Sequence, residues 1–305
     1  MDSLTAQAVA AIADDSVSGA VEIAEQSAQL LLRVAHANPT LSPALLRDQL
    51  LAVGWDLIRA HPTMAPLVNL INGMLWKLDA AYERNVNAHY AVSEAIGEFK
   101  RRLRVHEAAI AETALRLIPE DGQILTTGRS TTVRAALRHA LRAGRRFRVV
   151  CAEGRPACEG RSMATELATA GIPVTVVIDA LAISLANSAQ LVLVGADHLG
   201  SHGLVNKVGT YGLALAAGAV RVPIYALCGS EKFLPPGYMP PAQAHWPAEQ
   251  VWPDAPANIA ITNLYFDTTP LDALAGIVTE QGIQPTEGIE AWLAATHLHP
   301  ALHSV

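Results

Sequence analysis

Charged residues are scarce in this sequence: Asp, Glu, Lys and Arg make up 16% of its 305 residues, whereas hydrophobic residues make up 51%. Disordered chains have the opposite balance, so the composition predicts a compact globule with large buried surfaces, assembled as an oligomer. The net charge of -6 also lacks the basic field that a broad nucleic-acid surface requires. Direct binding of nucleic acid is therefore not expected, although a few arginines suffice to hold one phosphate group.

Long hydrophobic runs and paired cysteines are also missing. The most apolar run, GLALAAGAV at residues 212–220, is far shorter than the roughly 20 residues that cross a bilayer. The first 15 residues carry acids and no basic region, so no secretory signal is expected. The three cysteines lack paired spacing, and no nearby Cys or His completes a zinc set with Cys151 and Cys158. These features predict a cytoplasmic protein without membrane association or a metal site.

The sequence pattern changes near residue 118, where helical periodicity gives way to alternating strands and helices. In the first part, Ser42-Pro43 is a good helix start and His61-Pro62 a good helix stop. A long, charged helix is expected over residues 82–103. The segment PEDG, which begins at residue 119, is expected to close the helical part.

Five apolar runs in the second part predict strands over residues 124–126, 147–151, 174–178, 191–194 and 224–228. These runs do not alternate, as expected of parallel strands that are buried on both faces. Strands that alternate with helices specify a doubly wound sheet. The sequence thus predicts an α/β protein with an N-terminal all-helical domain at residues 1–118 and a parallel-sheet domain at residues 119–305.

The loop after the first predicted strand, TTGRSTT, enters a helix with several hydroxyl groups. Helix N-termini bind anions because their first amides lack partners and the dipole is positive there. Arg129 adds a bidentate phosphate donor, so Thr127, Gly128, Arg129 and Ser130 form a candidate ligand-binding loop. An ordinary helix cap explains the hydroxyl groups equally well. The spacing of a Walker loop is absent.

The loop after the second strand carries Arg155 and Glu159. Carboxyl ends of parallel strands share one edge of a sheet, so this arginine and Arg129 favour a common phosphate site. Alternatively, Arg155 and Glu159 pair with each other, and a solvated pair contributes only about 0–1 kcal/mol.

The segment VLVGADHLGSHGLVNKVGTY, after the start of the fourth strand, reads as a buried strand, a glycine-rich loop and a helix. Asp197 follows the strand, and a partly desolvated carboxylate there is a candidate proton shuttle near neutral pH. Lys207 offsets its charge or holds a phosphate, beside Asn206. Alternatively, Asp197 caps a turn and Asn206 caps the helix that follows.

Several segments in order resemble the initiation factor 2B family: ILTTGRSTTV, AEGRPACEGRSMATELATAGIPVT, GADHLGSHGLVNKVGTYGLALAA, CGSEKF and NLYFDTTPLDALAGIVTEQG. The family joins regulatory subunits of the translation initiation factor 2 exchange factor with isomerases of 5-methylthioribose 1-phosphate and ribose 1,5-bisphosphate. The resemblance implies a helical domain followed by a Rossmann-like domain, with dimers formed mainly through the latter.

The resemblance also implies roles for individual residues. Asp197 matches the catalytic aspartate of the isomerases, and Asn206 and Lys207 match substrate-contacting positions. Glu159 stands where the isomerases tend to have a glutamine, and Gly128 stands at the position of their cysteine. A glycine has no titratable group, so the two-residue acid–base scheme cannot run as it does in the isomerases. Gly128 would also leave room for a bulkier ligand.

Three hypotheses about function follow. In the first, a homodimer or higher oligomer binds a sugar phosphate or nucleoside monophosphate without any cofactor. Arg129, Ser130, Arg155 and Lys207 would hold phosphate there, and the sugar hydroxyls would meet Asp197 and Asn206. In the second, an aldose–ketose isomerase acts on a ribose 1-phosphate-type substrate through Asp197 without the family cysteine. In the third, the chain is a regulatory or assembly subunit.

Overall fold

Five helices precede the first strand in the computed structural model, which describes residues 2–37, 39–243 and 245–303. They are α1 (Ser3–Ala13), α2 (Ala20–Ala37), α3 (Pro43–Ala60), α4 (Ala65–Glu83) and α5 (Ala88–Ala114). The predicted limits of α3 are confirmed, because Ser42 caps its start and the helix ends before His61-Pro62. Gly54 lets α3 approach α4 closely, since a Cβ atom there would lie 3.0 Å from Ile71 Cδ1.

The single helix predicted over residues 82–103 is wrong at both ends. The chain leaves α4 after Glu83 and turns at Asn85, whose φ is 53°, a left-handed conformation that Asn tolerates. The side chain of Asn87 then accepts a hydrogen bond from the Tyr90 N–H at 3.1 Å and starts α5, which continues to Ala114. These two asparagines were the local signal for the break.

Two compact units each combine separate stretches of the chain. The first comprises residues up to Val105, Glu231–Ala242 and the described residues from Glu290 onward. The second comprises His106–Ser230 and the described part of Gln243–Ile289. The limits 1–118 and 119–305 mark the change from helices to strands and stay a prediction as domain limits.

A seven-stranded sheet is the centre of the second unit, with the order β10-β9-β7-β4-β1-β2-β3. Its strands are β1 (Gly122–Thr127), β2 (Phe147–Ala152), β3 (Val174–Val177), β4 (Leu191–Val194), β7 (Ile224–Leu227), β9 (Gly276–Thr279) and β10 (Gly282–Gln284). Neighbouring strands are parallel except for the antiparallel β9–β10 pair. The predicted doubly wound α/β fold is confirmed, and the sequence missed β9 and β10.

Helices α6 (Thr131–Arg142), α7 (Glu159–Thr169), α8 (Asp179–Ser184) and α9 (Thr210–Ala219) follow strands of this unit, and the short α10 (Ile289–Leu293) lies near the end of the chain. One buried cluster joins the sheet to the end of α5 and to α6 and α7, through Ile110, Ile124, Leu137, Leu167 and Leu193. β1 and β4 are almost wholly buried, as expected. β3 is partly exposed because it is the edge strand of the sheet.

The strand order reverses at β1, and this reversal positions the site. β2 and β3 lie on one side of β1, whereas β4 and β7 lie on the other. Turns that follow β1 and β4 therefore leave the sheet in opposite directions and open a crevice at its carboxyl edge, where ligands bind in such folds.

The segment after β4 is not the simple loop that the sequence predicted. It forms a hairpin of β5 (His198–Gly200) and β6 (Gly203–Lys207), and β8 (Phe266–Thr269) pairs with β6 to complete a small antiparallel sheet. Asn206 and Lys207 thus lie on a strand, and α9 begins only at Thr210. In the described part of the chain, no helix is both long enough and apolar enough to cross a membrane.

Candidate functional site

Turns that follow three neighbouring strands meet at one edge of the large sheet. Gly128 lies in the turn after β1, Glu159 begins α7 after β2, and Lys207 ends β6 in the segment after β4. Gly128 has a φ of 65°, and a Cβ atom there would be 3.2 Å from Lys207 Cβ and 3.4 Å from Glu159 Oε1. Side chains that follow β2 and β4 therefore fill the space beside Gly128. The room that the sequence predicted there for a bulkier ligand is occupied by the protein itself.

A second close approach joins the turns after β1 and β4. A Cβ atom at Gly195 would lie 2.6 Å from Ser130 Oγ and 3.6 Å from Asn206 Oδ1. Only glycine fits at this position, because any other side chain would displace the Ser130 hydroxyl. We call Gly128, Ser130, Glu159, Asn206 and Lys207 the strand-end cluster.

Lys207 and Glu159 form a buried ion pair within this cluster. Lys207 Nζ lies 2.9 Å from Glu159 Oε1, and the two side chains are only 6% and 12% exposed. The same ammonium group lies 4.4 Å from the centre of the Tyr265 ring, which adds a cation–π contact. Tyr265 is held by stacking on Trp246 at 4.3 Å and by a hydrogen bond from its hydroxyl to Gln250 at 2.7 Å.

Burial raises the pKa of Glu159 above its usual value, and the charge of Lys207 offsets part of this rise. The negative charge of Asp179 acts in the same direction as burial. The desolvation of the Glu159 carboxylate thus outweighs its attraction to the ammonium group.

Asn206 and Ser130 form hydrogen bonds close to the starts of α9 and α6. Asn206 Nδ2 donates to Thr210 Oγ1 at 3.0 Å, and the Thr210 hydroxyl donates to the Lys207 carbonyl at 2.6 Å. Ser130 accepts a hydrogen bond from the Val133 N–H at 3.2 Å and caps α6. The cap at Ser130 that the sequence left open is therefore present. The alternative cap at Asn206 is wrong, because α9 begins after Gly209 and the Asn206 side chain donates to Thr210 instead of accepting from a backbone N–H.

Arg129 is engaged with a carboxylate rather than directed freely into the crevice. Its Nε lies 2.8 Å from Glu166 Oε1 on α7, and Arg134 binds the other oxygen of the same carboxylate. The two arginines hold the pKa of Glu166 below its usual range, although partial burial opposes them. A phosphate near Arg129 would therefore share its guanidinium with Glu166.

Arg155 is one of the predicted ligand residues that are not part of the strand-end cluster. Its side chain is exposed and donates to the Val251 carbonyl at 3.0 Å. The backbone N–H groups of Gly154 and Arg155 both donate to the Asp179 carboxylate at 2.8 Å, so a protein acid already fills this anion site. The alternative Arg155–Glu159 pair is wrong, because Glu159 pairs with Lys207.

Asp197 and Thr127 lie at the ends of strands that flank the crevice. Asp197 is 8% exposed, and its N–H donates to the Val205 carbonyl at 2.9 Å, where the hairpin begins. Thr127 is the buried last residue of β1. Asp197 is thus a buried carboxylate two residues after Gly195, and its role as a proton shuttle stays a prediction.

Sequence comparison shows which known proteins this chain resembles. A family model described as the initiation factor 2 subunit family matches residues 16–286. The chain belongs to this family. It is 30% identical over 270 residues to a translation initiation factor eIF-2B subunit 2-like protein of Pyrococcus horikoshii, a match that covers 88% of this chain and 92% of the relative.

Isomerases and a solved initiation factor are further relatives in the initiation factor 2 subunit family. The chain is 32% identical over 294 residues to a methylthioribose-1-phosphate isomerase of Chloroflexus aurantiacus, covering 90% of this chain and 84% of the enzyme. The crystal structure of the Pyrococcus horikoshii translation initiation factor eIF-2B superposes with a TM-score of 0.81 at 28% identity. That match covers 93% of this chain and 98% of the other.

The two residues that the sequence resemblance predicts at the cysteine and glutamine positions of the isomerases lie together. Glu159 pairs with Lys207, and a Cβ atom at Gly128 would lie 3.2 Å from Lys207 Cβ. Cys151 does not replace the missing thiol, because burial within β2 raises its pKa to about 12 and keeps it protonated.

One acid and one aromatic residue of the site, Asp267 and Tyr265, were not found by sequence reasoning. Asp267 on β8 lies opposite Asn206, accepts hydrogen bonds from the N–H groups of Gly209 at 2.7 Å and Tyr211 at 3.3 Å, and so caps α9. Burial raises the pKa of Asp267, and these amides offset part of the rise. The only signal was the segment NLYFDTTP, which contains Tyr265 and Asp267 but has no spacing that reveals their partners.

Among the described residues, no group of three or more His, Cys, Asp or Glu side chains could hold a metal ion.

Proposed function

We propose that the strand-end cluster binds a phosphorylated sugar or a nucleoside monophosphate, with Lys207 on the phosphate and Asn206 and Asp197 on sugar hydroxyls. The observation that carries this proposal is the meeting of three strand-end turns around Gly128, at the point where the strand order reverses. The similarity to an enzyme named for a phosphorylated sugar supports the same class of ligand.

Calorimetric titration with ribose phosphates, hexose phosphates and nucleoside monophosphates tests this proposal. Lys207→Met should weaken binding at least about tenfold, as expected for loss of a charge-assisted contact. Lys77→Met is the matched control, since it removes the same charge from an exposed ion pair in the first unit. Absence of heat from all ligands, or equal losses in the two variants, would contradict the proposal.

An aldose–ketose isomerase is the second candidate, favoured by the buried Asp197 at the end of β4 and by the isomerase relative. Its chemistry would rest on Asp197 alone among the family pair, because Gly128 carries no acid or base. Incubation with methylthioribose 1-phosphate or ribose 1,5-bisphosphate should then produce a ketose visible by NMR, and Asp197→Asn should abolish it. Binding without ketose would favour the first proposal.

A homodimer through the second unit accompanies either function. Apolar side chains are exposed on β3, at the residue that precedes α8, and on α8 and α9, namely Val176, Ile178, Leu181, Tyr211 and Leu215. The two helices are packed together, since a Cβ atom at Gly212 would lie 3.3 Å from Ile183 Cδ1. Monomers rarely expose such a patch. Light scattering should show a dimer that Leu215→Glu converts to a monomer; an unchanged mass would contradict this interface.

The third function, a regulatory or assembly subunit, is favoured by the likeness to the initiation factor eIF-2B structure. It predicts that a ligand changes the assembly state without being converted. Light scattering with and without ribose 5-phosphate measures the assembly state and separates this function from that of an isomerase.

A further inference from the structure

Cationic side chains around the crevice are matched by acids of the same chain. Arg129 pairs with Glu166, and Arg161 pairs with Glu153 through a 2.6 Å contact. The Lys207–Glu159 pair differs from both because its two side chains are only 6% and 12% exposed, whereas Glu166 is 31% exposed and Arg161 is 63% exposed. A ligand phosphate that approaches Lys207 would therefore have to compete with the Glu159 carboxylate for the ammonium group.

The position of this anion is defined by two glycine turns. A Cβ atom at Gly154 would lie 3.2 Å from Glu159 Cδ, and one at Gly128 would lie 3.4 Å from Glu159 Oε1. Both glycines have positive φ, at 75° and 65°, a conformation that disfavours other residues. The backbone thus provides a close-fitting space for the carboxylate.

Lys207 Nζ has essentially no surface exposed to solvent. Glu159 Oε1 lies on it at 2.9 Å, and the Tyr265 ring lies 4.4 Å away. The ring is held by Trp246 and Gln250 and is the less movable of the two neighbours. An anion can therefore reach the ammonium group only if the Glu159 carboxylate moves.

We propose that Glu159 is an internal counter-ion that occupies the phosphate position on Lys207, so that it determines how tightly the site binds phosphorylated ligands. The proposal rests on the proposed function, since it concerns the same cluster. Glu159 is the first residue of α7, where the helix dipole favours a carboxylate even after it leaves Lys207.

Glu159→Gln tests the proposal, because the amide keeps the shape of the side chain and removes its charge. In calorimetric titrations with ribose 5-phosphate at pH 7.5, this variant should bind roughly 10- to 100-fold more tightly than the unmodified protein. Glu153→Gln is the matched control: it removes a carboxylate from the same loop that pairs with Arg161 and does not touch Lys207. Glu159→Gln with Lys207→Met should lose the gain. Circular dichroism checks that each variant is folded.

The outcomes separate this inference from the proposed function. If the unmodified protein binds and Glu159→Gln binds no more tightly, or Glu153→Gln gains as much, the counter-ion role is overturned and the binding function stands. If only Glu159→Gln binds, the counter-ion role stands and the unmodified site is not a site for phosphorylated ligands. If neither binds, both proposals fail.

Discussion

The two compact units each contain a lysine paired with glutamate, in opposite surroundings. In the first unit, Lys77 on α4 lies 3.2 Å from Glu98 on α5, and these side chains are 42% and 37% exposed. In the second unit, Lys207 and Glu159 lie 2.9 Å apart at 6% and 12% exposure. Water solvates the two charges of the first pair whether or not the pair forms. The two charges of the second pair have lost their water, so each depends on the other for stabilisation. Burial, rather than residue type, therefore determines what each pair contributes.

The largest expected effect is loss of stability on breaking the buried pair. Lys207→Met leaves the Glu159 carboxylate buried without a counter-ion, so the free energy of unfolding should fall by about 3–5 kcal/mol. Urea denaturation measures the change. The double variant Glu159→Gln with Lys207→Met should recover most of the loss, because no buried charge remains. A loss below about 1 kcal/mol in the single variant would remove the distinction between the two pairs.

A smaller effect is expected in the pH dependence of stability. The folded-state pKa of Glu159 is raised, chiefly by burial, with Lys207 opposing and Asp179 adding to the rise. Between the ordinary glutamate pKa and this raised value, the folded state binds more protons than the unfolded state. The free energy of unfolding should therefore fall as pH rises through this window, and the loss is complete above the folded-state pKa.

Comparison with Glu159→Gln isolates this contribution, since groups that do not interact with Glu159 titrate equally in both proteins. The stability of the variant relative to the unmodified protein should increase as pH rises from about 4 towards 7. Urea unfolding at several pH values measures the difference. A difference that stays constant with pH, or that shrinks as pH rises, would show that the carboxylate is not desolvated.

The smallest expected effect is in the first unit. Lys77→Met should change the free energy of unfolding by no more than about 1 kcal/mol, because solvent screens the pair. Glu98 raises the pKa of Lys77, yet the side chains stay largely exposed. A change comparable to that of Lys207→Met would mean that the exposure of these ion pairs does not determine how much they contribute to stability.

Much of the fold follows from local sequence. β1, β2 and β4 lie in apolar runs that do not alternate, as expected of strands buried on both faces, and Ser42 with Pro43 marks a helix start. The candidate site could be located for the same reason, since the carboxyl ends of neighbouring parallel strands meet at one edge. The strands that the sequence missed include pairings over distance: β6 pairs with β8, and β9 with β7.

By itself, the sequence determined the α/β fold, its helical first part and the edge of the sheet where Gly128, Asn206 and Lys207 lie, because periodicity and turn residues act over short stretches of chain. Only the tertiary structure decided which charges pair: Lys207 with Glu159, Arg129 with Glu166, and the amides of Gly154 and Arg155 with Asp179. Partner choice depends on distance and desolvation in the folded chain, and neither is encoded by the spacing of residues along the sequence.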